Sequence, residues 1–294
     1  MDGSITALEE GLARIGLRVE DVEQVLLTHQ HHDHVGLAAT IRGRSGAQVA
    51  AVEPLARYLA DYDLAMQRDD AYAVALMRRH GLDEQTVTTL DSVSRAFRRY
   101  SAGVHVDRPL RDGDELIAGD RRFTVRRRPG HSPTDTVFED SSGELLIGGD
   151  HLLQRISSNP IAHVPIDDSD PVAIAASPDR PRPLVAYMES MRQTAARDAG
   201  ALVLPGHGEP FAGVADLVER RMAMHERRLR KIRRTVEGGC TAGDIGSLLW
   251  RQVPVTQAYL VLSEVLAHLD VLAQRGEVEE VDDGGGVARY AAAA

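Results

Sequence analysis

The stretch Thr28-His29-Gln30-His31-His32-Asp33-His34 decides the fold and the chemistry of this chain. The apolar run Val25-Leu26-Leu27 precedes it and predicts a buried strand, and Val35-Gly36-Leu37-Ala38-Ala39 after it predicts the start of a helix. One histidine in such a connection would indicate an ordinary polar turn on the surface. Four potential metal ligands on one tight connection predict a metal site instead.

The spacing of these residues suits two neighbouring ions. His29 and His31 are two residues apart and can point the same way from extended backbone. Asp33 and His34 come one turn later and can face a second ion beside the first. Neutral imidazole and carboxylate groups are the ligands that a borderline divalent ion such as zinc takes.

Three later segments repeat one pattern, in which an apolar strand leads into a glycine-bearing turn and then a ligand-type residue. Strand ends that converge on one rim are where α/β layers place their sites, and glycine lets the backbone turn sharply and approach an ion closely. The segments are Pro129-Gly130-His131-Ser132 after Phe123-Thr124-Val125, Gly148-Gly149-Asp150 after Glu144-Leu145-Leu146-Ile147, and Pro205-Gly206-His207-Gly208 after Ala201-Leu202-Val203-Leu204.

Together the four segments resemble the metallo-β-lactamase superfamily, whose ligand motifs run His-x-His-x-Asp-His, His, Asp, His in that order. The resemblance spans about residues 20–210 and implies an α/β fold, the αβ/βα sandwich of that superfamily. It also implies a metal-dependent hydrolase. By this resemblance one metal is held by His29, His31 and His131, a second by Asp33, His34 and His207, and Asp150 bridges the two.

Departures from the superfamily pattern argue against two branches of the superfamily. The first subclass of true β-lactamases has a cysteine where Asp150 stands, and the only cysteine, Cys240, lies beyond all the motifs. The flavodiiron relatives replace the second histidine by glutamate, so His31 argues against them. Gly36-Leu37 stands where the superfamily often has two glycines, a change that the fold should tolerate.

The implied mechanism uses two divalent ions about 3.5–4 Å apart, which hold a bridging water and lower its pKa from ~15.7 toward ~7. The resulting hydroxide attacks a carbonyl carbon or a phosphorus. Asp33 is the candidate catalytic residue, because besides ligating it can orient the hydroxide and move its proton. Zinc is the expected metal, with manganese or iron as alternatives, since a His/Asp site accepts each according to availability.

Composition agrees with a cytoplasmic enzyme that acts on a small molecule. The chain has 294 residues, enough for one large domain and a small one. Its net charge of −10 gives no general attraction to nucleic acid or acidic membranes, and one cysteine cannot form an internal disulfide. The first residues do not form a signal peptide, and we expect no apolar stretch long enough to cross a bilayer.

The N-terminal region is shorter than the superfamily pattern. Relatives begin with several strands and an Asp-x-Gly turn, whereas a helix-like stretch from Ile5 to Asp21 alone precedes the first strand here. We therefore expect the sandwich to lack its first strands. At about 5–6 residues per strand plus connections, the reading frame should continue upstream for roughly 40–60 residues.

Two regions between the motifs could border the site. Residues 55–108 predict a helical insertion of two or three helices, which would act either as a lid or substrate wall or as a packing or dimer contact. The stretch Leu152 to Pro183 predicts a long irregular loop that leaves from Asp150. Its possible substrate contacts are Ser158, Asn159 and His163, although solvated loop residues are the commoner case. The remaining histidines, which are expected to be structural or exposed, are His32, His80, His105, His151, His225 and His268.

A second domain is predicted after the motifs, with residues 1–215 forming the hydrolase domain and residues 216–294 a linker helix and a winged helix. The pattern is three helices and then a hairpin. It resembles the winged-helix domain of one branch of these hydrolases, which includes an endoribonuclease. The predicted elements are Val214–Val236, Ile245–Trp250, about Gln257–Arg275, and a hairpin over Gly276–Tyr290.

Charge argues against nucleic acid as the partner of this domain. A basic run lies at Arg227–Arg234, but a wing that meets phosphates should be basic, and this wing is acidic. We therefore expect association of copies or closure of the site, and leave non-specific RNA binding open. The acidic residues of the wing are Glu277, Glu279, Glu280, Asp282 and Asp283.

The sequence thus predicts a dinuclear metal-dependent hydrolase of a thioester, ester or lactone, like the glyoxalase II-like relatives. The first alternative is phosphodiester cleavage of RNA, as in the winged-helix branch. The second is a non-catalytic metal-binding effector that uses the fold only as a scaffold, which the full ligand set argues against. Nothing in the sequence identifies the acyl group.

Overall fold

Two β-sheets carry the histidine and aspartate motifs in this computed structural model, which describes residues 2–98, 101–198, 200–282 and 284–293. The first sheet has three parallel strands in the order β1-β2-β3. It consists of β1 (Gln24–Leu26), β2 (Gln48–Val52) and β3 (Arg108–Leu110). β1 leads directly into the first ligand motif, and β2 is buried over four of its five residues.

The second sheet has five strands in the order β4-β5-β6-β7-β8. All neighbours are antiparallel except β7 and β8, which are parallel. β5, β7 and β8 therefore run in one direction, and their carboxyl ends leave the same edge of the sheet. The strands are β4 (Glu115–Ala118), β5 (Arg121–Arg127), β6 (Thr136–Asp140), β7 (Leu145–Gly149) and β8 (Leu202–Pro205). This edge bears the three later ligand turns, as the sequence predicted.

Eight helices of the described chain lie before or between these strands. α1 precedes β1, and the described residues contain no strand before β1. Among the described residues β1 pairs only with β2. The expectation of further strands upstream stays a prediction. The helices are α1 (Asp2–Arg14), α2 (His32–Val35), α3 (Ala38–Ser45), α4 (Glu53–Ala60), α5 (Tyr62–Arg79), α6 (Glu84–Phe97), α7 (Pro171–Ala175) and α8 (Pro183–Arg197).

The predicted insertion is helical, and it consists of α4, α5 and α6. Asp61 and Asp83 cap α5 and α6 by accepting hydrogen bonds from backbone N–H groups of the first turns. Tyr72, Leu76 and Met77 of α5 are fully buried in the main apolar core. The insertion therefore packs as part of the molecule, and its role as a lid stays a prediction.

The C-terminal region has the predicted order of three helices and an antiparallel hairpin. Thr241 and Asp244 form a capping box at the second of these helices. The elements are α9 (Val214–Thr235), α10 (Ala242–Leu249), α11 (Ala258–Gln274), β9 (Val278–Asp282) and β10 (Ala288–Ala292). The classification as a winged helix stays a prediction, and Asp283 of the predicted wing lies outside the described residues.

One apolar core runs across the predicted boundary at residue 215. The same buried cluster contains Val203 of β8, Leu217 and Leu229 of α9, and Leu266 of α11. The C-terminal helices are therefore packed on the second sheet rather than held apart from it. The division into residues 1–215 and 216–294 stays a prediction.

The expectation that no apolar stretch reaches the length of a membrane span is wrong for Val255–Gln274. This segment has a mean hydropathy of 1.3 and is long enough to cross a bilayer by length and composition. However, 56% of it is buried inside the protein. A helix that is surrounded by protein must be apolar on most of its sides. Burial of this extent therefore indicates a core helix.

Candidate metal centre

The first ligand motif begins on extended backbone and ends in a short helix. β1 ends at Leu26, and His31 is still extended, with φ −63° and ψ 144°. The helix α2 then begins at His32, earlier than the sequence indicated. Asp33 and His34 consequently lie on a helical turn, where the ring centroid of His34 is 4.1 Å from that of His29. His34 also forms a further group of metal-ligand spacing with His29 and Asp150.

His29, His31 and His131 form the first ligand group, and one nitrogen of each lies within 4.8 Å of the others. His131 Nε2 is 3.0 Å from His31 Nδ1. The ring centroids of His29 and His31 are 4.6 Å apart, and those of His29 and His131 are 5.3 Å apart. His29 and His131 are buried, at 0% and 7% exposure.

Hydrogen bonds to protein groups outside this group engage one ring nitrogen each of His29 and His131. Thr28 Oγ1 is 3.1 Å from His29 Nδ1, and His29 Nε2 is buried without a partner among the described residues. His131 Nδ1 donates to the carbonyl oxygen of Asn159 at 2.8 Å. A carbonyl can only accept, so the proton sits on Nδ1 and His131 Nε2 keeps its lone pair.

Asp33, His34 and His207 form the second ligand group. The Nε2 atoms of His34 and His207 are 3.3 Å apart, and His207 Nε2 is 3.2 Å from Asp33 Oδ2. This group is more open than the first, because the side chains of Asp33 and His207 are 45% and 50% exposed. An ion here would face solvent and an incoming substrate.

Asp150 joins the two groups. Its Oδ2 atom is 3.6 Å from His131 Nε2 of the first group and 3.5 Å from His207 Nε2 of the second. Its Oδ1 atom is 3.5 Å from His34 Nε2. Ligand atoms at about 2.1 Å from a tetrahedral ion are about 3.4 Å apart, so these separations fit metal binding.

Glycines at the ends of β7 and β8 allow the loops to approach this closely. A Cβ atom on Gly206 would lie 2.3 Å from Asp150 Oδ1 and 2.6 Å from His34 Cε1. Gly149 has a positive φ of 48°, and its Cβ would lie 2.9 Å from Thr28 Cβ. Only glycine fits at these two positions, which explains the glycine-bearing turns in the sequence.

The helix α8 holds two of the ligand loops through a single hydroxyl group. Thr194 Oγ1 donates to the carbonyl oxygen of Ser190 at 3.0 Å and accepts from Arg128 Nε at 3.1 Å. His151 Nε2 lies 2.9 Å from the same oxygen and supplies its second accepted hydrogen bond. Arg128 leads into the turn of His131, and His151 follows Asp150, so Thr194 fixes both turns. No motif in the sequence marked this residue.

The surroundings of the centre lower the pKa of some of its histidines and raise the pKa of another. Burial, followed by the neighbouring imidazoles, lowers the pKa of His29 and His31 well below the usual histidine value. Burial also opposes charge on His34, but hydrogen bonding to Asp150 and the negative charges of Asp150 and Asp33 outweigh it and raise its pKa. Burial by itself would raise the pKa of Asp150, yet His34, His131 and His207 together lower it.

The possible substrate contacts of the long loop have other roles in the structure. Ser158 Oγ donates to the carbonyl oxygen of Asp150, and Asn159 Nδ2 donates to the carbonyl oxygen of Leu260 at 2.9 Å. Both side chains therefore bind the protein around the centre. His163 is half-buried beside His31, and its role as a substrate contact stays a prediction.

A second group with metal-ligand spacing lies between α9 and α11, among residues that the sequence indicated to be structural. It comprises His225, Glu264 and His268, all buried. His268 Nδ1 donates to the carbonyl oxygen of Glu264 at 2.7 Å, and His268 Nε2 is 3.1 Å from His225 Nδ1. Arg228 pairs with the Glu264 carboxylate. The group is therefore a buried hydrogen-bonded pair of histidines beside an ion pair, with His225 Nε2 buried without a partner among the described residues.

Comparison with known proteins extends over nearly the whole chain. The profile of the Metallo-beta-lactamase superfamily matches residues 1–207. The "Probable metallo-hydrolase YqjP" of Bacillus subtilis (strain 168) is 32% identical over 268 residues, which are 90% of this chain and 79% of that protein. A hydroxyacylglutathione hydrolase of Bradyrhizobium sp. (strain BTAi1) is 37% identical over 73 residues, 25% of this chain and 28% of that protein.

A solved structure matches the C-terminal region as well. The metallo-β-lactamase family protein TTHA1429 from Thermus thermophilus superposes with a TM-score of 0.75 at 29% sequence identity. The match covers 98% of this chain and 85% of that protein. The helices and hairpin after β8 therefore belong to an arrangement that this relative shares.

Proposed function

Since this chain belongs to the metallo-β-lactamase superfamily and is a metal-dependent hydrolase, we propose that it uses a dinuclear centre to hydrolyse a small thioester, ester or lactone. The observation that carries the two-ion proposal is the position of Asp150, whose Oδ2 atom is 3.6 Å and 3.5 Å from a histidine nitrogen of each ligand group. One carboxylate between two sets of ligands is the arrangement that two ions share. Zinc is the proposed metal, with manganese or iron as alternatives.

In this proposal each protein group has a defined task. Bound divalent ions supply a water of lowered pKa and polarise the substrate oxygen. His29, His31 and His131 hold one ion on the buried side, and Asp33, His34 and His207 hold the other on the open side. Asp33 is 45% exposed and lies beside His207, so it is placed to orient the attacking water and to take its proton.

The choice of a carbonyl substrate is supported by three features of the chain. The net charge of −10 disfavours a polyanionic substrate. In the C-terminal region, Arg228 and Arg233 of the basic run pair with Glu264 and Glu277. A relative that matches a quarter of the chain is named hydroxyacylglutathione hydrolase.

A panel of substrates tests this choice. The metal-loaded protein is assayed with an acyl thioester, a lactone, a bis-phosphodiester and short single-stranded RNA. We expect turnover of the thioester or lactone, its loss in Asp150→Asn, and its retention in His105→Ala, whose side chain is 75% exposed. Turnover of RNA or the bis-phosphodiester alone would reject the carbonyl substrate and favour the endoribonuclease alternative.

For the C-terminal region we propose a winged-helix module that serves association of copies or closure of the site. Glu277 and Glu280 of the hairpin pair with Arg233 and Arg79 of the protein itself, so these acidic side chains already face basic groups of the same chain. Titration with duplex DNA and single-stranded RNA at near-physiological salt, beside sizing of the full chain, tests this role. Tight, sequence-dependent binding of nucleic acid would contradict it. We also propose a cytoplasmic location, which suits a single free cysteine.

A further inference from the structure

The segment 158–162 connects the metal centre to the C-terminal helix α11. It follows β7 and has no regular secondary structure, so contacts with its surroundings must fix its position. On one side Ser158 Oγ donates to the carbonyl oxygen of Asp150. On the same side the carbonyl oxygen of Asn159 accepts from His131 Nδ1 at 2.8 Å. The segment therefore touches two of the residues expected to bind metal.

On its other side the segment is held by the first turn of α11. Asn159 Nδ2 donates to the carbonyl oxygen of Leu260 at 2.9 Å. Tyr259 Oη donates to the carbonyl oxygen of Ala162 at 2.8 Å. These two hydrogen bonds span about a hundred residues of sequence, and they tie an irregular loop to a helix that is buried from Leu262 to Leu272.

We infer that Asn159 is a positioning residue of the metal centre, through which α11 fixes the orientation and the tautomer of His131. Its backbone carbonyl keeps the proton of His131 on Nδ1 and so directs the lone pair of Nε2 toward His31 and Asp150. Its side-chain amide holds that carbonyl in place by binding Leu260. The inference rests on the proposed function, because it assigns a role within the same metal centre.

The contacts of Asn159 support this role. Its carbonyl oxygen binds a histidine and its Nδ2 atom binds the backbone of α11, while its Oδ1 atom is buried without a partner among the described residues. A backbone carbonyl bound to the outer nitrogen of a metal-binding histidine orients the ring and raises its basicity. Loss of such a partner typically weakens metal affinity by about 10–100-fold.

The test compares Asn159→Ala with Tyr259→Phe and with the control Gln154→Ala in the full chain. Asn159→Ala keeps the carbonyl but removes its anchor on α11, and Tyr259→Phe removes only the second anchor. Gln154 lies in the same loop with an exposed side chain. Zinc affinities are measured for both ions by competition with a chelator.

We expect Asn159→Ala to bind one ion about 10–100-fold more weakly, while the other ion is affected less. Tyr259→Phe should give a smaller loss of the same ion, and Gln154→Ala should match the wild type. The metal-free Asn159→Ala protein should unfold within about 4 °C of the wild type, since one partly exposed hydrogen bond is lost. Unchanged affinity for both ions in Asn159→Ala would overturn the inference.

A second measurement does not depend on metal and keeps the two proposals apart. The ring nitrogens of His131 are observed by NMR in metal-free protein with ¹⁵N-labelled histidine, and assigned with the His131→Gln variant. We expect one tautomer with the proton on Nδ1 in the wild type and a mixture in Asn159→Ala. A wild type that binds no metal would reject the proposed function, whereas identical His131 signals in both proteins would reject the role of Asn159.

Discussion

Two places in the described part of this molecule bring histidines and a carboxylate within metal-ligand distance, and they differ in whether an arginine already neutralises the carboxylate. In the metal centre, the ion-pair partners of Asp33 and Asp150 in the described chain are histidines. Between α9 and α11, His268 binds a backbone carbonyl and His225, and Glu264 is paired with Arg228.

The difference shows that residue type and proximity do not define a metal site. A metal needs lone pairs that converge on one point and negative charge that is not already neutralised. In both places histidine nitrogens lie within hydrogen-bond distance of each other. In the metal centre the carboxylates of Asp33 and Asp150 contact histidines, whereas in the helical cluster Arg228 neutralises the carboxylate of Glu264. We therefore expect ions in the first place and none in the second.

The largest expected effect is that of Asp150→Ala. Removal of the carboxylate that lies between both ligand groups should reduce the metal content from two ions per chain to fewer than one. The matched change in the helical cluster, Glu264→Gln, should leave two ions bound. Metal content measured by mass spectrometry after exhaustive dialysis distinguishes these outcomes. Loss of metal from Glu264→Gln would contradict the expectation that the helical cluster binds no ion.

The next effect separates the two halves of the centre. His131→Ala should lose the ion on the buried side, and His207→Ala the ion on the open side, so each retains one. The remaining ion should be held more tightly in His207→Ala, because its ligands are buried and oriented by hydrogen bonds to protein groups. Dissociation constants for cobalt, followed by its visible spectrum, provide the measurement. Equal loss of both ions in either variant would contradict two separate groups.

A smaller effect is expected from Thr194→Val, which removes the hydroxyl that holds two ligand loops but keeps the shape of the side chain. Arg128 Nε and His151 Nε2 would each lose a buried partner. Metal affinity should fall by about 10–100-fold, as for other residues that support metal ligands. Thr194→Ser should restore it, because the hydroxyl returns. The same affinity in Val and Ser variants would reject this role.

The smallest effect concerns the helical cluster and stability at acid pH. Burial lowers the pKa of His225 and His268 to about 4. Between pH 6.5 and 4 the unfolded chain therefore binds protons that the folded chain does not, so these residues stabilise the fold above pH 6.5 and lose that contribution as the pH falls.

The double variant His225→Leu/His268→Leu tests this assignment. It replaces both partners of a buried hydrogen bond by apolar groups of similar size, a change that is often nearly neutral at about pH 7. Urea unfolding of the metal-free proteins at several pH values should give a shallower decline of the unfolding free energy below about pH 6.5 in the variant. Parallel pH profiles would contradict the assignment, and a changed metal content would contradict the comparison itself.

The sequence was sufficient for the strands that carry the centre. Each of β1, β5, β7 and β8 lies where an apolar run preceded a predicted ligand turn. The seven predicted ligand residues come together in overlapping groups of metal-ligand spacing, one of which contains His29, His34 and Asp150. A local pattern suffices here, since each turn needs a glycine and a ligand within a few residues.

Two expectations failed for reasons that are visible in the structure. The helix after the first motif begins at His32 rather than Val35, and His31 is the last extended residue before it. The segment Val255–Gln274 is apolar enough to pass as a membrane span because α11 is buried from Leu262 to Leu272. The hydrogen bonds of Ser158 and Asn159 to backbone carbonyls were not predicted, because loop composition does not reveal such partners.

The sequence by itself determined which residues are candidate ligands, in what order they occur and which strands they follow. Only the tertiary structure decided that Thr194 holds two of the candidate ligand loops, that Asn159 binds both His131 and α11, and that His225 and His268 bind each other. These contacts join residues that are tens to more than a hundred positions apart, so no local pattern encodes them. They depend on where the sheets, α8 and α11 pack, and that packing is fixed by the shared apolar core.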